Sequence, residues 1–281
     1  MNHRLAVICL ATALSGLNFF ACSENGSEKP SEAKTPACEK LFGLPNQNSG
    51  VDESLCEPQC STCANETTFR YQDYTSNDLS QLRGATLLNP GELLQEDPFA
   101  NPENFPREEE KFCAILVQTE DSYELKTFDS EEEAKLAGAQ ITHHGACGAC
   151  SSLQDLATYI EWDDLTGPVR QCGITNFGGS IAEIAECISA LGFTPICSEI
   201  WAYNTQHTRN VCLQECLDAL DAPYLLEDGS LNPCIQCDEE KSGPVFKAVS
   251  GRTRRNSGLP TALCRPCESI APVHHVYEFS D

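Results

Sequence analysis

Positive charge is what this chain is short of: 18 Lys and Arg stand against 42 Asp and Glu, a formal net charge of −24. A surface of that sign repels polyphosphates and acidic lipid headgroups at most faces, which excludes a general nucleic-acid or anionic-membrane binder. Long apolar runs are also scarce. Beyond Phe20 none approaches the roughly 18 residues that a bilayer-spanning helix needs. No internal repeat is evident, and only two tryptophans occur, Trp162 and Trp201, both in helix candidates where core packing is their expected role. A hydrophobic fraction of 41% nevertheless supports a packed core, so the acidity is not that of a disordered tail.

Cysteine is abundant instead, with 18 residues. Cys9 and Cys22 lie in or beside an N-terminal leader, in which Met-Asn-His-Arg precedes an apolar stretch from Leu5 to Phe20. A short basic start with an apolar run of this length reads as a secretory signal rather than a membrane span. Sixteen cysteines remain, four between Cys38 and Cys63 and twelve between Cys113 and Cys267. In an oxidising compartment even counts favour disulfides, here allowing two frameworks that close separately. The spacings Cys60-x-x-Cys63, Cys147-x-x-Cys150, Cys234-x-x-Cys237 and Cys264-x-x-Cys267 stay open to another reading. In a reducing compartment the last two pairs would form a zinc ribbon, with Cys234, Cys237, Cys264 and Cys267 as ligands. No cofactor is expected, with zinc at those four cysteines as the alternative.

The chain divides into a signal over 1–21, a polar tether over 22–37, a small cysteine-rich segment over 38–63, a Pro-containing linker over 64–111 with one short helix near Pro90 to Gln95, and a main domain over 112–281. That domain opens on a hairpin, Phe112 to Gln118 and Tyr123 to Phe128. A helix follows from Ser130 through Ala139. Apolar residues at i, i+3, i+4 and i+7 mark helices at Leu153–Ile160 and Ile181–Ile188, the second opened by a Ser180/Glu183 capping box and closed at Gly192. A third stripe runs from Leu213 to Leu220. There Cys212 and Cys216 share one face and must bond to other elements. Further helices are expected at Pro195–Tyr203 and Pro244–Arg254, and a strand at Val273–Phe279. The fold class is α+β, mostly helical, cysteine-rich and disulfide-stabilised, with a small antiparallel β element.

Two features suggest chemistry. Cys150 stands just ahead of a helix capped by Ser151 with Gln154 or by Ser152 with Asp155, where the dipole favours a thiolate, and His143 and His144 are near in sequence. The second is a local charge reversal: from Lys241 through Cys267 there are six basic residues and no acid. Within it Arg252, Arg254 and Arg255 offer forked donors to a carboxylate or phosphate, or neutralise the acidic segment Glu108 to Glu110 or Glu131 to Glu133 of the same molecule.

Three resemblances bear on these residues. Phe19-Phe20-Ala21-Cys22 resembles the lipobox of bacterial lipoproteins, with Phe19 where Leu is usual, which implies lipidation at Cys22 and a body anchored to the cell envelope. Ser23 after that cysteine resembles outer-membrane sorting in a Gram-negative cell. Cys147-Gly148-Ala149-Cys150 resembles the active-site segment of papain-like cysteine peptidases. That resemblance implies Cys150 as nucleophile, Cys147 as a disulfide partner, His144 at the oxyanion position and His275 as base. The same four residues, with Leu259-Pro260-Thr261, are similar to the redox site of thioredoxin-like proteins.

The expected protein is a lipoprotein whose body is a non-enzymatic binding or interaction module. Its expected partners are the membrane, through the lipid, and an unknown protein or small anionic ligand, with no nucleic acid. The alternatives are a thiol-dependent enzyme using Cys150 with a histidine base, by acyl transfer or disulfide exchange, and a zinc-binding protein.

Overall fold

A computed structural model describes residues 40–61 and 68–279. The leader, Cys22, Cys38 and Cys63 lie outside the described residues.

The largest sheet has four strands in the order β5-β7-β6-β8. Strands β6 (Phe112–Thr119) and β7 (Ser122–Phe128) form the expected antiparallel hairpin, β5 (Thr86–Leu87) runs parallel to β7, and β8 (Gln140–His144) pairs antiparallel with β6. The pleat of β6 sends Ile115 and Val117 to one face and Ala114 and Leu116 to the other. Helix α2 (Glu131–Leu136), shorter than expected, covers the second face through Ala134. Its N-cap Ser130 accepts from the Glu133 N–H, and Gly138 turns the chain out at a φ of 69°.

The first face packs on a helical body. Helix α3 (Leu153–Glu161) buries Leu153, Leu156, Ala157 and Ile160, the stripe read from the sequence, and α1 (Ser76–Gly84) lies against it through Leu82. Helices α4 (Thr166–Thr175), α5 (Ile181–Ser189) and α6 (Pro195–Val211) complete this core. Both halves of the Ser180/Glu183 capping box form. Helices α7 (Leu213–Asp218), α8 (Pro233–Lys241) and α9 (Gly243–Ser250) close the body. Gly251 ends α9 at a φ of 68°, where an added Cβ would meet the Gly148 backbone nitrogen at 2.5 Å.

Residues 38–63 do not close on themselves. In a second sheet of order β2-β1-β9, strand β1 (Leu41–Phe42) pairs parallel with β2 (Cys56–Glu57) and antiparallel with β9 (Arg265–Pro266), while β3 (Gln59–Ser61) pairs with β4 (Thr68–Arg70). Disulfides Cys56–Cys264 and Cys60–Cys267 lock the early segment to the late one, so the two cysteine groups form one framework. The stretch 64–111 is likewise more than a linker, since it supplies β4, α1 and β5. No helix forms at 90–95; a single 3₁₀ turn occurs at Pro102–Asn104.

Residues 273–279 run without strand pairing. Their alternation is still visible, because Val273 and His275 are buried, but the backbone bonds to side chains. The His275 N–H donates to the Tyr74 hydroxyl at 3.1 Å and the Glu278 N–H to Gln140 Oε1 at 3.2 Å.

Candidate functional site

Cys150, the expected nucleophile, is fully buried and bonded to Cys197, while Cys147 is bonded to Cys113. The pair is therefore not a disulfide unit of its own, and neither sulfur can supply a thiolate while so bonded. The surrounding histidines serve other purposes. His275 Nε2 lies 2.8 Å from the Ser257 carbonyl and its Nδ1 2.8 Å from the Tyr277 hydroxyl; burial, then the nearby Arg252 cation, push it down to about 3. His144 sits on β8 with its ring edge against Phe112, and burial lowers it against the pull of Glu131. The peptidase-like and thioredoxin-like arrangements are thus not assembled.

One pairing escaped the sequence reading. His143 Nε2 is 2.7 Å from Ser151 Oγ, which also accepts from the Gly148 N–H at 2.8 Å. Both residues are sealed at 0% exposure, so this hydroxyl and imidazole brace the turn ahead of α3 and face no substrate.

The zinc reading fails on the same chemistry. Cys234 pairs with Cys216, Cys237 with Cys212, Cys264 with Cys56 and Cys267 with Cys60, placing the four expected ligands in four different disulfides. Cys212 and Cys216, on one face of the α6–α7 corner, do reach a separate element, α8.

The basic island also divides. Arg252 is fully buried and donates to Thr142 O and Oγ1, Cys150 O, Ser151 O and Ser257 Oγ at 2.6–3.2 Å. No donor remains for a ligand, so Arg252 ties β8 to the α3 turn. Arg254 donates to the carbonyls of Pro260 and Trp162 beneath the Tyr159 ring. Arg255, Arg265 and Lys247 all reach Glu239, each at 2.7 Å. Burial opposes ionisation of Glu239, but Arg265, Arg255 and Lys247 outweigh it and hold the carboxyl down at about 2. Burial in turn lowers Lys247 against the pull of Glu239, with the neighbouring Arg255 and Arg107 cations adding to the lowering. The acids expected to neutralise the island, at 108–110 or 131–133, make no ion pair with these arginines; Arg255 pairs instead with Glu239 in α8, while Arg252 and Arg254 bond to carbonyls and hydroxyls.

Arg254, Arg255, Lys247 and Arg265 nevertheless share a wall. They line a cavity of about 600 Å³ among α4, α6, α7, α8, α9 and residues 253–270. Most of the lining is apolar, including Leu165, Val169, Trp201, Ile235, Phe246 and Leu259. Its rim carries large apolar side chains in the open: Ile174, Phe177, Leu213, Leu217 and Leu220 are 44–69% exposed. Ile174 stands in the last turn of α4 and Phe177 just past its end, while Leu213 and Leu217 lie on α7 and Leu220 just after it. The close approach of α4 to α6 that shapes the floor depends on Gly173, whose added Cβ would meet Thr205 Cγ2 at 2.6 Å.

The cavity also contains misfit polar atoms. Among the described residues, two buried side-chain polar atoms have no hydrogen-bond partner, Asn204 Oδ1 and Arg209 Nη1, and both residues line this cavity. Asn204 Nδ2 and Thr208 Oγ1 donate to Asp238, whose carboxyl is raised by burial. A pocket of this volume, apolar with a few polar groups, is built to hold a small molecule with a large apolar part.

Comparison with known proteins adds a boundary rather than a function. Residues 181–273 match a family of unknown function, DUF8771. No curated protein and no solved structure matches the chain. The matched stretch contributes α6–α9 to the cavity, whereas α4 and Phe42 lie outside it. Only Cys212–Cys237 and Cys216–Cys234 close within it; four other disulfides fasten it to the rest of the chain. Seven disulfides among the described residues suit a protein that folds outside a reducing cytoplasm. Among those residues no helix is long and apolar enough to cross a membrane.

Proposed function

We propose that this protein is a cell-envelope binding module, tethered by a lipid on Cys22, that holds an apolar or amphipathic small molecule in the α4–α9 cavity. The observation that carries the reading is the cavity itself: about 600 Å³ lined mainly by apolar side chains and opening through an exposed apolar rim. Water in such a space is poorly hydrogen-bonded, and its replacement by hydrocarbon is favourable by roughly 25 cal/mol for each Å² buried. The disulfides and the lipobox-like leader favour the envelope location.

The test is titration of the oxidised protein with the neutral dye N-phenyl-1-naphthylamine. Saturable binding at one dye per chain is expected, with quenching of tryptophan emission because Trp201 lines the cavity. Ile174→Trp, at a rim position 53% exposed, places bulk at the opening without touching the core and should weaken binding at least tenfold. Absence of saturable binding to the wild type overturns the proposal, as does unchanged affinity in both Ile174→Trp and Leu217→Trp.

A further inference from the structure

The charge of the cavity is opposite to that of the protein. Six of the chain's 18 basic residues line it, with only two of its 42 acids. The overall composition would give an acidic wall, so this excess of bases runs against it, and low-dielectric surroundings amplify the potential of any cation left unpaired. Four of the six are engaged by the protein itself: Lys247, Arg255 and Arg265 by Glu239, and Arg254 by two carbonyls. Arg170 and Arg209 make no ion pair among the described residues.

Arg209 is the one that is visibly incomplete. Its Nη1 is shut off from solvent with no hydrogen-bond partner among the described residues, a costly arrangement, the more so for a charged donor. Its guanidinium rests on the Phe177 ring, 5.1 Å from the centroid, and Phe177 is a rim residue 69% exposed. The ring lies over the cation on the solvent side. The guanidinium thus sits where the apolar rim of α4 meets the C-terminal turn of α6.

We infer that the ligand is an anionic amphiphile, with its hydrocarbon chain in the cavity and an acidic head, carboxylate or phosphate, on Arg209 at the rim. This rests on the binding reading above and deepens it. The geometry suits the chemistry of such a molecule: the chain meets Val169, Trp201 and Phe246, while the head gains the Arg209 Nη1 donor that the described residues leave unpaired. In a chain at −24, cations at the opening also select the sign of what enters.

The experiment displaces N-phenyl-1-naphthylamine with three ligands of equal chain length: palmitate, hexadecyl phosphate and 1-hexadecanol, each below its aggregation threshold. An acidic ligand should displace the dye at a concentration at least tenfold below that of the alcohol, with the advantage shrinking as salt is raised. The tighter of the two acids identifies the head group. Arg209→Gln should erase the advantage of the acids over the alcohol, and Arg209→Lys should restore part of it. Equal displacement by alcohol and acids, or an undiminished preference in Arg209→Gln, overturns this inference and leaves the cavity reading standing. Failure of the dye to bind the wild type removes both.

Discussion

Replacing Glu239 with glutamine keeps the shape of the side chain and removes one charge from beneath three cations. Glu239 is 22% exposed at its side chain, and Lys247, Arg255 and Arg265 are 17%, 28% and 11% exposed, so solvent screens the cluster only in part. A carboxyl held at about 2 in the fold against its ordinary 4.5 favours the folded state by about 3 kcal/mol once ionised. The sign follows from the depressed value: the contribution is complete above pH 4.5 and is lost as pH falls toward 2. Urea unfolding of wild type and Glu239→Gln, with disulfides intact, should therefore show a gap of about 3 kcal/mol at pH 7. In thermal unfolding the same gap is worth roughly 6–12 °C for a domain of this size. The gap should shrink through the acid window, and what persists below it measures the neutral hydrogen bonds. A gap under about 1 kcal/mol at pH 7, or one that does not narrow between pH 5 and pH 2, would refute the idea that this carboxylate neutralises the island.

Two other substitutions probe the scaffold around the cavity. Burial pushes Asp155 up to about 6 despite donors from Ser152 and Thr194, so its ionisation opposes folding above that pH and ceases to do so below about 4. Wild type should gain on Asp155→Asn by up to about 3 kcal/mol as pH falls from 6 to 4, opposite in sign to Glu239, and a pH-independent gap would contradict this. Arg252→Met should cost at least about 3 kcal/mol in urea unfolding, because the carbonyls of Thr142, Cys150 and Ser151 each lose a donor inside the core; a loss below 1 kcal/mol would mean that water takes the guanidinium's place.

Local features were legible in the chain wherever a short-range rule sets them. The Ser180/Glu183 box, the Leu153–Ile160 stripe and the hairpin at 112–128 each depend on residues a few positions apart. The bonding of Cys212 and Cys216 away from each other followed from helix geometry alone. Disulfide connectivity did not follow, because Cys-x-x-Cys spacing fixes which sulfurs are near in sequence, whereas tertiary packing sent the members of each described pair to different elements. Arg252 misled for a similar reason: an arginine beside other basic residues reads as solvent-facing, and only the convergence of three carbonyls makes its burial tolerable. The cavity was illegible because one wall, α4, has no sustained apolar stripe, and its depth depends on Gly173 lying close to Thr205.

The link between Cys56 and Cys264 spans 208 residues of chain with a single bond. Tension applied ahead of residue 56, as through a tether, passes across that bond and the neighbouring Cys60–Cys267 bond into the segment around β9, and so bypasses the helices. A protein moored by one end and pulled by its surroundings would bear the load in sulfur, and would pass it to residues 253–270, which form one wall of the cavity.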